Sequence, residues 1–228
     1  MITTGIITKN MQLAPDIHEF WITLPGPLPY RSGQFVFISL DGEDKHAFSI
    51  VSSRSEGKEI RLVIKKRGLF TIHLFEITEE SKTSITVQGP YGQFILPQDL
   101  NPLPLLFIAG GIGVTPIASM VFHLAQDKAL CAKHLPIIYY STKTRSERVF
   151  AKEFDQLVND RASGLDIRYV CTAEGGVRIS VEQLLREVPD LKTRIVYICG
   201  PRVMINTLRE GLLAIGMQEE QVRSEEFK

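Results

Sequence analysis

The stretch IAGGIGVTPI, residues 108–117, decides how the chain folds. An apolar run leads into it and a second one leaves it, yet three glycines and a Thr-Pro pair interrupt them. An apolar strand that gives way to glycines and then to a helix is the first strand-to-helix turn of an α/β sheet. The rhythm continues on its carboxyl side. Strand LLFIAG (105–110) precedes helix PIASMVFHLAQD (116–127), and PIIYYS (136–141) precedes SERVFAKEFDQLV (146–158). DIRYVC (166–171) precedes SVEQLLREV (180–188), and RIVYICG (194–200) precedes PRVMINTLREGLLAIG (201–216). Four strand-then-helix units predict a parallel sheet covered by helices on both faces.

On the amino side the rhythm is different. GIITKNMQL, IHEFWITL, GQFVFISL, HAFSIVSS, EIRLVIKK and SITVQGP are short and rich in β-branched or aromatic residues. Glycine, proline, aspartate or serine bounds each of them. Turns fall at LPGPLPY, LDGEDK and SRSEGK, the spacing of an antiparallel β-barrel. One short helix is expected over residues 70–78, with Ile72, Leu74 and Phe75 sharing a face. The proline-rich LPQDLNPLP, residues 96–104, is the expected linker. The organisation predicted is therefore a barrel domain over residues 1–99 and an α/β domain over residues 100–228.

Composition narrows the function classes. The 228 residues carry 26 basic and 26 acidic side chains and no net charge. That balance argues against a nucleic-acid binder. The longest apolar runs are broken by Pro and Gly and are too short to span a bilayer. The first ten residues lack a basic segment followed by an apolar one, so no signal peptide is expected. Three widely separated cysteines, Cys131, Cys171 and Cys199, write neither a disulfide framework nor an iron–sulfur loop, which suits the cytoplasm. His18, His73, His123 and His134 share no ligand spacing, and no metal site is expected.

In the opening turn, Gly110, Gly111 and Gly113 remove side chains where a pyrophosphate could approach the backbone. Thr115 is the expected N-cap and Pro116 the first helical residue, so free amides would face an anion. The same glycines also suit a plain tight turn. YICGPRVM repeats the arrangement, with Cys199 either at the lip of the same crevice or simply a small buried residue.

These turns, with the barrel before them, resemble the ferredoxin–NADP⁺ reductase superfamily. Five segments carry the resemblance in order: HAFSIVSS (46–53), KKRGLFTIHL (65–74), GPYGQF (89–94), GGIGVTP (110–116) and CGP (199–201). The first is similar to the flavin motif Arg-x-Tyr-Ser, with His46 in place of Arg and Phe48 in place of Tyr. That variant is more like the ferric reductase and NADPH oxidase branch. The resemblance implies hydride transfer from NADPH or NADH to a flavin, FAD with FMN as the alternative, and then electron delivery to an external acceptor. A redox protein, a haem protein, free flavin or a ferric chelate would serve. A reductase subunit inert without its partner, and a non-catalytic nucleotide-binding relative, are the other readings.

The resemblance also implies a site. His46, Ala47, Phe48, Ser49, Ile64, Lys66, Gly68, Leu69, Phe70 and Thr71 would hold the flavin. Ser49 would point at flavin N5, and Thr71 would cap the short helix facing the diphosphate. From the basic run Lys65, Lys66 and Arg67, one cation would replace the charge lost at His46, although such a run also suits a solvated strand end. Gly110, Gly111, Gly113, Thr115, Cys199, Gly200 and Pro201 would hold the nicotinamide dinucleotide, with Cys199 near its C4. Ser141, Lys143 and Arg145 would meet an adenosine 2′-phosphate, or else form a polar loop with Ser146 capping the next helix. At the C-terminus Phe227 would stack on the flavin and Glu225 or Glu226 would relay a proton, unless the tail is frayed.

Overall fold

The computed structural model describes residues 1–41, 43–52, 57–97, 103–160 and 164–226. The chain divides into two compact units, Met1–Leu96 with Ala118–His123, and Pro97–Ile117 with Leu124–Lys228. The boundary expected between residues 99 and 100 lies outside the described residues, as do Ser53 of the flavin motif and Phe227.

The first unit is built on six antiparallel strands: β1 (Ile2–Ala14), β2 (Ile17–Thr23), β3 (Phe35–Ser39), β4 (His46–Ser49), β5 (Glu59–Lys65) and β6 (Ser84–Tyr91). Their order is β4-β3-β6-β1-β2-β5. An antiparallel bridge between Ile50 and Leu62 joins the two outer strands and closes the sheet into a barrel. Alternation explains the sequence. Phe20 and Ile22, Val36 and Ile38, Ile60, Leu62 and Ile64, and Ile85 and Val87 point inward and form one core. Glu19 is buried as well, but its carboxylate accepts from Arg61 Nε at 2.6 Å and Trp21 Nε1 at 2.8 Å. With its lone pairs satisfied it is a structural group.

Helix α1 (Leu69–Glu76) follows β5 and sends Phe70 and Leu74 into that core. Its buried face is Phe70, Thr71 and Leu74, whereas Ile72 is exposed. Of the expected face, Leu74 lies in the core and Phe75 packs against it, while Phe70, one turn before Leu74, takes the place expected for Ile72. Asn10 Nδ2 donates to the carbonyls of Phe75 and Ile77 at 3.1 and 2.7 Å and so satisfies the helix's C-terminal end.

The second unit holds five parallel strands, β7 (Leu105–Gly110), β8 (Ile137–Thr142), β9 (Asp166–Cys171), β10 (Ile195–Gly200) and β11 (Val222–Glu226), ordered β11-β10-β7-β8-β9. β7 and β10 are buried at every residue, as inner strands covered on both faces must be. β9, on the edge, is half-exposed. Around the sheet lie α2 (Val114–Ala125), α3 (Lys128–His134), α4 (Ala151–Asn159), α5 (Val181–Glu187) and α6 (Arg202–Ala214). The barrel followed by a parallel α/β sheet is the architecture expected.

Four local expectations need correction. α2 starts at Val114, directly after a 3₁₀ turn over Gly111–Gly113, so Thr115 lies inside the helix and its hydroxyl donates to the Ile112 carbonyl at 3.0 Å. α3 was not anticipated; Asp127 caps it by accepting from the Leu130 amide. α4 starts at Ala151 behind Phe150, whose φ of 62° ends the preceding loop, so Ser146 caps nothing there. Finally, residues 222–226 form a strand, not a frayed tail, because backbone pairing with β10 outweighs a charged sequence that carries little apolar signal.

Candidate functional site

β4 pairs with β3 in the register Val36 to Phe48 and Phe35 to Ser49. Alternation therefore turns His46 and Phe48 to one face, and Ala47 and Ser49 to the other. His46 and Ala47 are exposed and Phe48 is half-buried. Phe70 of α1 packs against the first pair: its ring stacks on His46 at 4.3 Å between centroids and on Phe48 at 6.1 Å, with interplanar angles of 26° and 21°. Ser49 is only 3% exposed, and its hydroxyl meets no hydrogen-bond partner among the described residues. An unsatisfied buried hydroxyl costs about 1–3 kcal/mol, so an external acceptor or donor is its natural complement.

The start of α1 is open. Gly68, at φ 82°, is the N-cap, and no side chain caps the first turn. A Cβ at Gly68 would meet nothing within 4 Å. Thr71 is not the cap that was expected. Its hydroxyl accepts from the Arg67 amide at 2.6 Å and donates to the Gly68 carbonyl at 3.0 Å. It thus braces the bend into the helix and leaves the first-turn amides available to an anion. Leu69 is exposed at this end, while the Ile64 side chain is part of the barrel core. Lys66 is exposed with its ammonium 5.4 Å from the Phe75 ring centre.

In the second unit the turns after β7 and β10 are neighbours, since Ile108 pairs with Ile198 and Ala109 with Cys199. The strand order reverses here, which is where doubly wound sheets bind dinucleotides. The glycines divide their work. A Cβ on Gly113 would lie 2.4 Å from the Cys199 carbonyl oxygen, and one on Gly110 would lie 2.7 Å from Pro201 Cδ. A Cβ on Gly200 would lie 2.9 Å from Gly110 Cα. These three let the two turns pack together, which for Gly110 and Gly113 is nearer the tight-turn reading of the sequence than ligand approach. Gly111 is the one that fits that reading: φ is +55° and the space beside it is open.

Cys199 is fully buried, and burial pushes its thiol well above the usual range, helped by the nearby Glu225 carboxylate. Opposite it on β11, Glu225 is half-buried, and burial raises its carboxyl to about 7. Its Oε2 has no partner among the described residues. Glu226 turns the other way, is exposed, and lies 3.9 Å from Arg202 Nε.

Ser141 is half-buried at the end of β8 and Lys143 is exposed beyond it. Neither lines the neighbouring cavity of about 800 Å³, but Arg145 does. Arg148, Arg178 and Arg186 join it there, against Glu174 and Glu182. Arg145 pairs with Glu174 at 3.1 Å. Arg148 lies 3.9 Å from the Tyr169 ring centre and donates from Nη2 to Cys171 Sγ at 2.9 Å. Sequence reading missed the last three arginines because they come from separate segments that the loops after β8 and β9 bring together.

Unsatisfied Ser49, uncapped α1 amides and the open Gly111 turn suit a flavin and a nicotinamide dinucleotide, the ligands of a two-domain oxidoreductase. Residues 4–95 match the oxidoreductase FAD-binding domain family, and residues 107–210 match the oxidoreductase NAD-binding domain family. The chain belongs to the ferredoxin–NADP⁺ reductase superfamily, with FAD and NAD(P)H as its cofactors. It is 27% identical, over 97% of its length, to the reductase component of propane 2-monooxygenase from Rhodococcus jostii, of which it covers 62%. It is 26% identical, over its whole length, to a probable flavin reductase of Aliivibrio fischeri, of which it covers 97%. Its fold is similar to ferredoxin-NADP⁺ reductase from Plasmodium falciparum, with TM-score 0.84, 18% identity, and 99% and 96% of the two chains covered. The chain thus spans about three fifths of the propane 2-monooxygenase reductase components it matches. Among the described residues no helix is long and apolar enough to cross a membrane.

Proposed function

We propose that this chain takes a hydride from NAD(P)H onto a bound flavin and then passes the electrons to an external acceptor. The observation that carries the reading is the buried, unsatisfied Ser49 hydroxyl within the flavin motif. The flavin supplies the redox chemistry; the chain's residues bind, orient and manage protons. Ser49 donates a hydrogen bond where charge develops on the ring, and the α1 amides take the phosphate side. Gly111 and the turn after β10 position the nicotinamide end. Cys199, high in pKa and buried, acts by shape and not as a nucleophile. Glu225, raised to about 7, holds or releases a proton near neutrality. Of the two glutamates named from the sequence, it is the better suited, since Glu226 is exposed beside Arg202.

The cavity with four arginines favours NADPH over NADH, because a 2′-phosphate is a dianion that guanidinium groups bind well. The acceptor is a redox protein, a haem protein such as an oxygenase partner, a ferric chelate or flavin itself. Within this range the relatives' names support an oxygenase partner and flavin itself, one being a monooxygenase reductase component and another a probable flavin reductase. We set the reaction in the cytoplasm, a reading that the three free thiols support.

Anaerobic titration of the flavin-loaded protein tests the proposal. NADPH is expected to bleach the flavin absorbance stoichiometrically, with NADH less effective. A flavin that stays oxidised with both dinucleotides leaves only a nucleotide-binding role.

A further inference from the structure

The Ser49 hydroxyl serves a flavin only if it is aimed, and the strand that carries it is short. β4 is four residues long, and its pairing with β3 ends at Ser49. Beyond that point the backbone changes partner. The Ile50 amide still donates to the Gln34 carbonyl at 2.9 Å, but the Val51 amide donates to the Arg61 carbonyl at 2.8 Å, and Ile50 bridges to Leu62 of β5. A further anchor follows at Ser52. Its carbonyl oxygen accepts from the Tyr30 hydroxyl at 2.9 Å and from the Ser119 hydroxyl at 3.1 Å. The Tyr30 hydroxyl also lies 2.7 Å from Ser52 Oγ.

Ser119 comes from α2, the helix that starts directly after the Gly111–Gly113 turn, and residues 118–123 of that helix belong to the barrel unit. Ser119 is fully buried, as are its apolar neighbours in sequence, Ile117, Ala118, Met120 and Val121. An alanine would fill the same place without desolvating a hydroxyl. What the hydroxyl adds is the bond to Ser52, three residues beyond Ser49.

We infer that Ser119 and Tyr30 are positioning residues for flavin reduction: by gripping the Ser52 carbonyl they fix the end of the flavin motif and so aim the Ser49 hydroxyl. The inference rests on the proposed hydride transfer and names residues that serve it. Neither side chain touches the reacting atoms; both act through Ser49. Misplacing a reacting geometry by about 1 Å costs roughly 100-fold in rate. Loosening the anchor while the second donor stays bound is a smaller disturbance, of about fivefold.

The test is anaerobic stopped-flow reduction by NADPH of the flavin-loaded full chain, compared among the unaltered protein, Ser119→Ala, Ser49→Ala and the double variant. Ser119→Ala is expected to slow reduction about fivefold while flavin and NADPH affinities each stay within about twofold. In the Ser49→Ala background the same change is expected to alter the rate by less than about twofold, because no hydroxyl is left to aim. A packing role would give the same factor in both backgrounds, and that result overturns the inference while leaving the proposed hydride transfer intact. An unchanged rate in Ser119→Ala, or a loss of flavin affinity that matches the loss of rate, does the same. Tyr30→Phe removes the other donor to the same carbonyl and carries the same cycle if Ser119→Ala does not fold. Flavin that stays oxidised in the unaltered chain with both dinucleotides overturns the hydride transfer and this inference with it.

Discussion

Cys199 and Glu225 face each other across two adjacent parallel strands, and it is the carboxyl, not the thiol, that titrates near neutral pH. Burial drives both groups toward their neutral forms. For a thiol that means loss of nucleophilicity at physiological pH, whereas for a carboxyl it means access to a proton there. The strand pairing that makes this contact uses residues 222–226, the last stretch of described chain.

That pairing sets a pH dependence of known sign. Glu225 titrates near 4.5 when unfolded and near 7 when folded. Between those values the native state holds a proton that the unfolded state has lost. Stability therefore falls as pH rises from about 4.5 to about 7, by up to roughly 3 kcal/mol, and stays lower above that. Glu225→Gln removes this cost. Its gain in Tm is expected to be several degrees larger at pH 8 than at pH 5, by thermal denaturation. Equal gains at both pH values reject the buried-carboxyl assignment. In stopped-flow pH profiles the same variant loses the limb near pH 7.

Ser49→Ala separates chemistry from binding. The hydroxyl is expected to matter most where charge develops, so flavin reduction slows by roughly 100-fold. Flavin affinity falls by only about threefold to tenfold, the worth of one ordinary hydrogen bond, because the uncapped α1 amides are untouched. The ligand-free protein gains about 1 kcal/mol, since an unsatisfied hydroxyl is removed. An unchanged reduction rate would show that Ser49 does not address the reacting ring.

Gly111 and Gly113 are two residues apart and predict opposite failures. Gly113→Ala forces a Cβ toward the Cys199 carbonyl oxygen, a clash with backbone, and is expected to cost about 1–3 kcal/mol of stability. Gly111→Val places its Cβ in open space but must hold φ +55°, which costs roughly 1–2 kcal/mol or reshapes the turn. Dinucleotide affinity falls in that variant while bound flavin is retained. Calorimetric titration with each dinucleotide, beside a melting curve, reads both effects; equal dinucleotide affinity in Gly111→Val removes that turn from the site.

Arg178→Ala tests the arginine-lined cavity. Arg178 is exposed and lines the cavity, so its loss is expected to leave the fold intact. KM for NADPH rises about fivefold to tenfold, while KM for NADH moves less than about twofold, since only NADPH carries the 2′-phosphate. A parallel rise for both dinucleotides places the arginine elsewhere than at that phosphate.

Most strands were legible because their signal is local. LLFIAG and DIRYVC occupy β7 and β9 residue for residue, and IHEFWIT shows the inward set Phe20 and Ile22 in its own order. The glycine-rich turn was equally legible as a turn. What each glycine does was not: Gly110, Gly113 and Gly200 are small because the turn after β7 meets the turn after β10, ninety residues later in the chain. α3 carried no strong period, and α4 was misplaced because a left-handed Phe150 ends its leading loop.

Linear order by itself determined the two architectures, since periods of two and of 3.6 residues and the punctuation between them are properties of neighbours. Only tertiary structure decided that Glu225 and not Glu226 turns toward Cys199, that Thr71 braces a bend instead of capping a helix, and that Arg148, Arg178 and Arg186 join Arg145. Each depends on strand register or loop return, and a register shift by one residue turns every side chain to the opposite face.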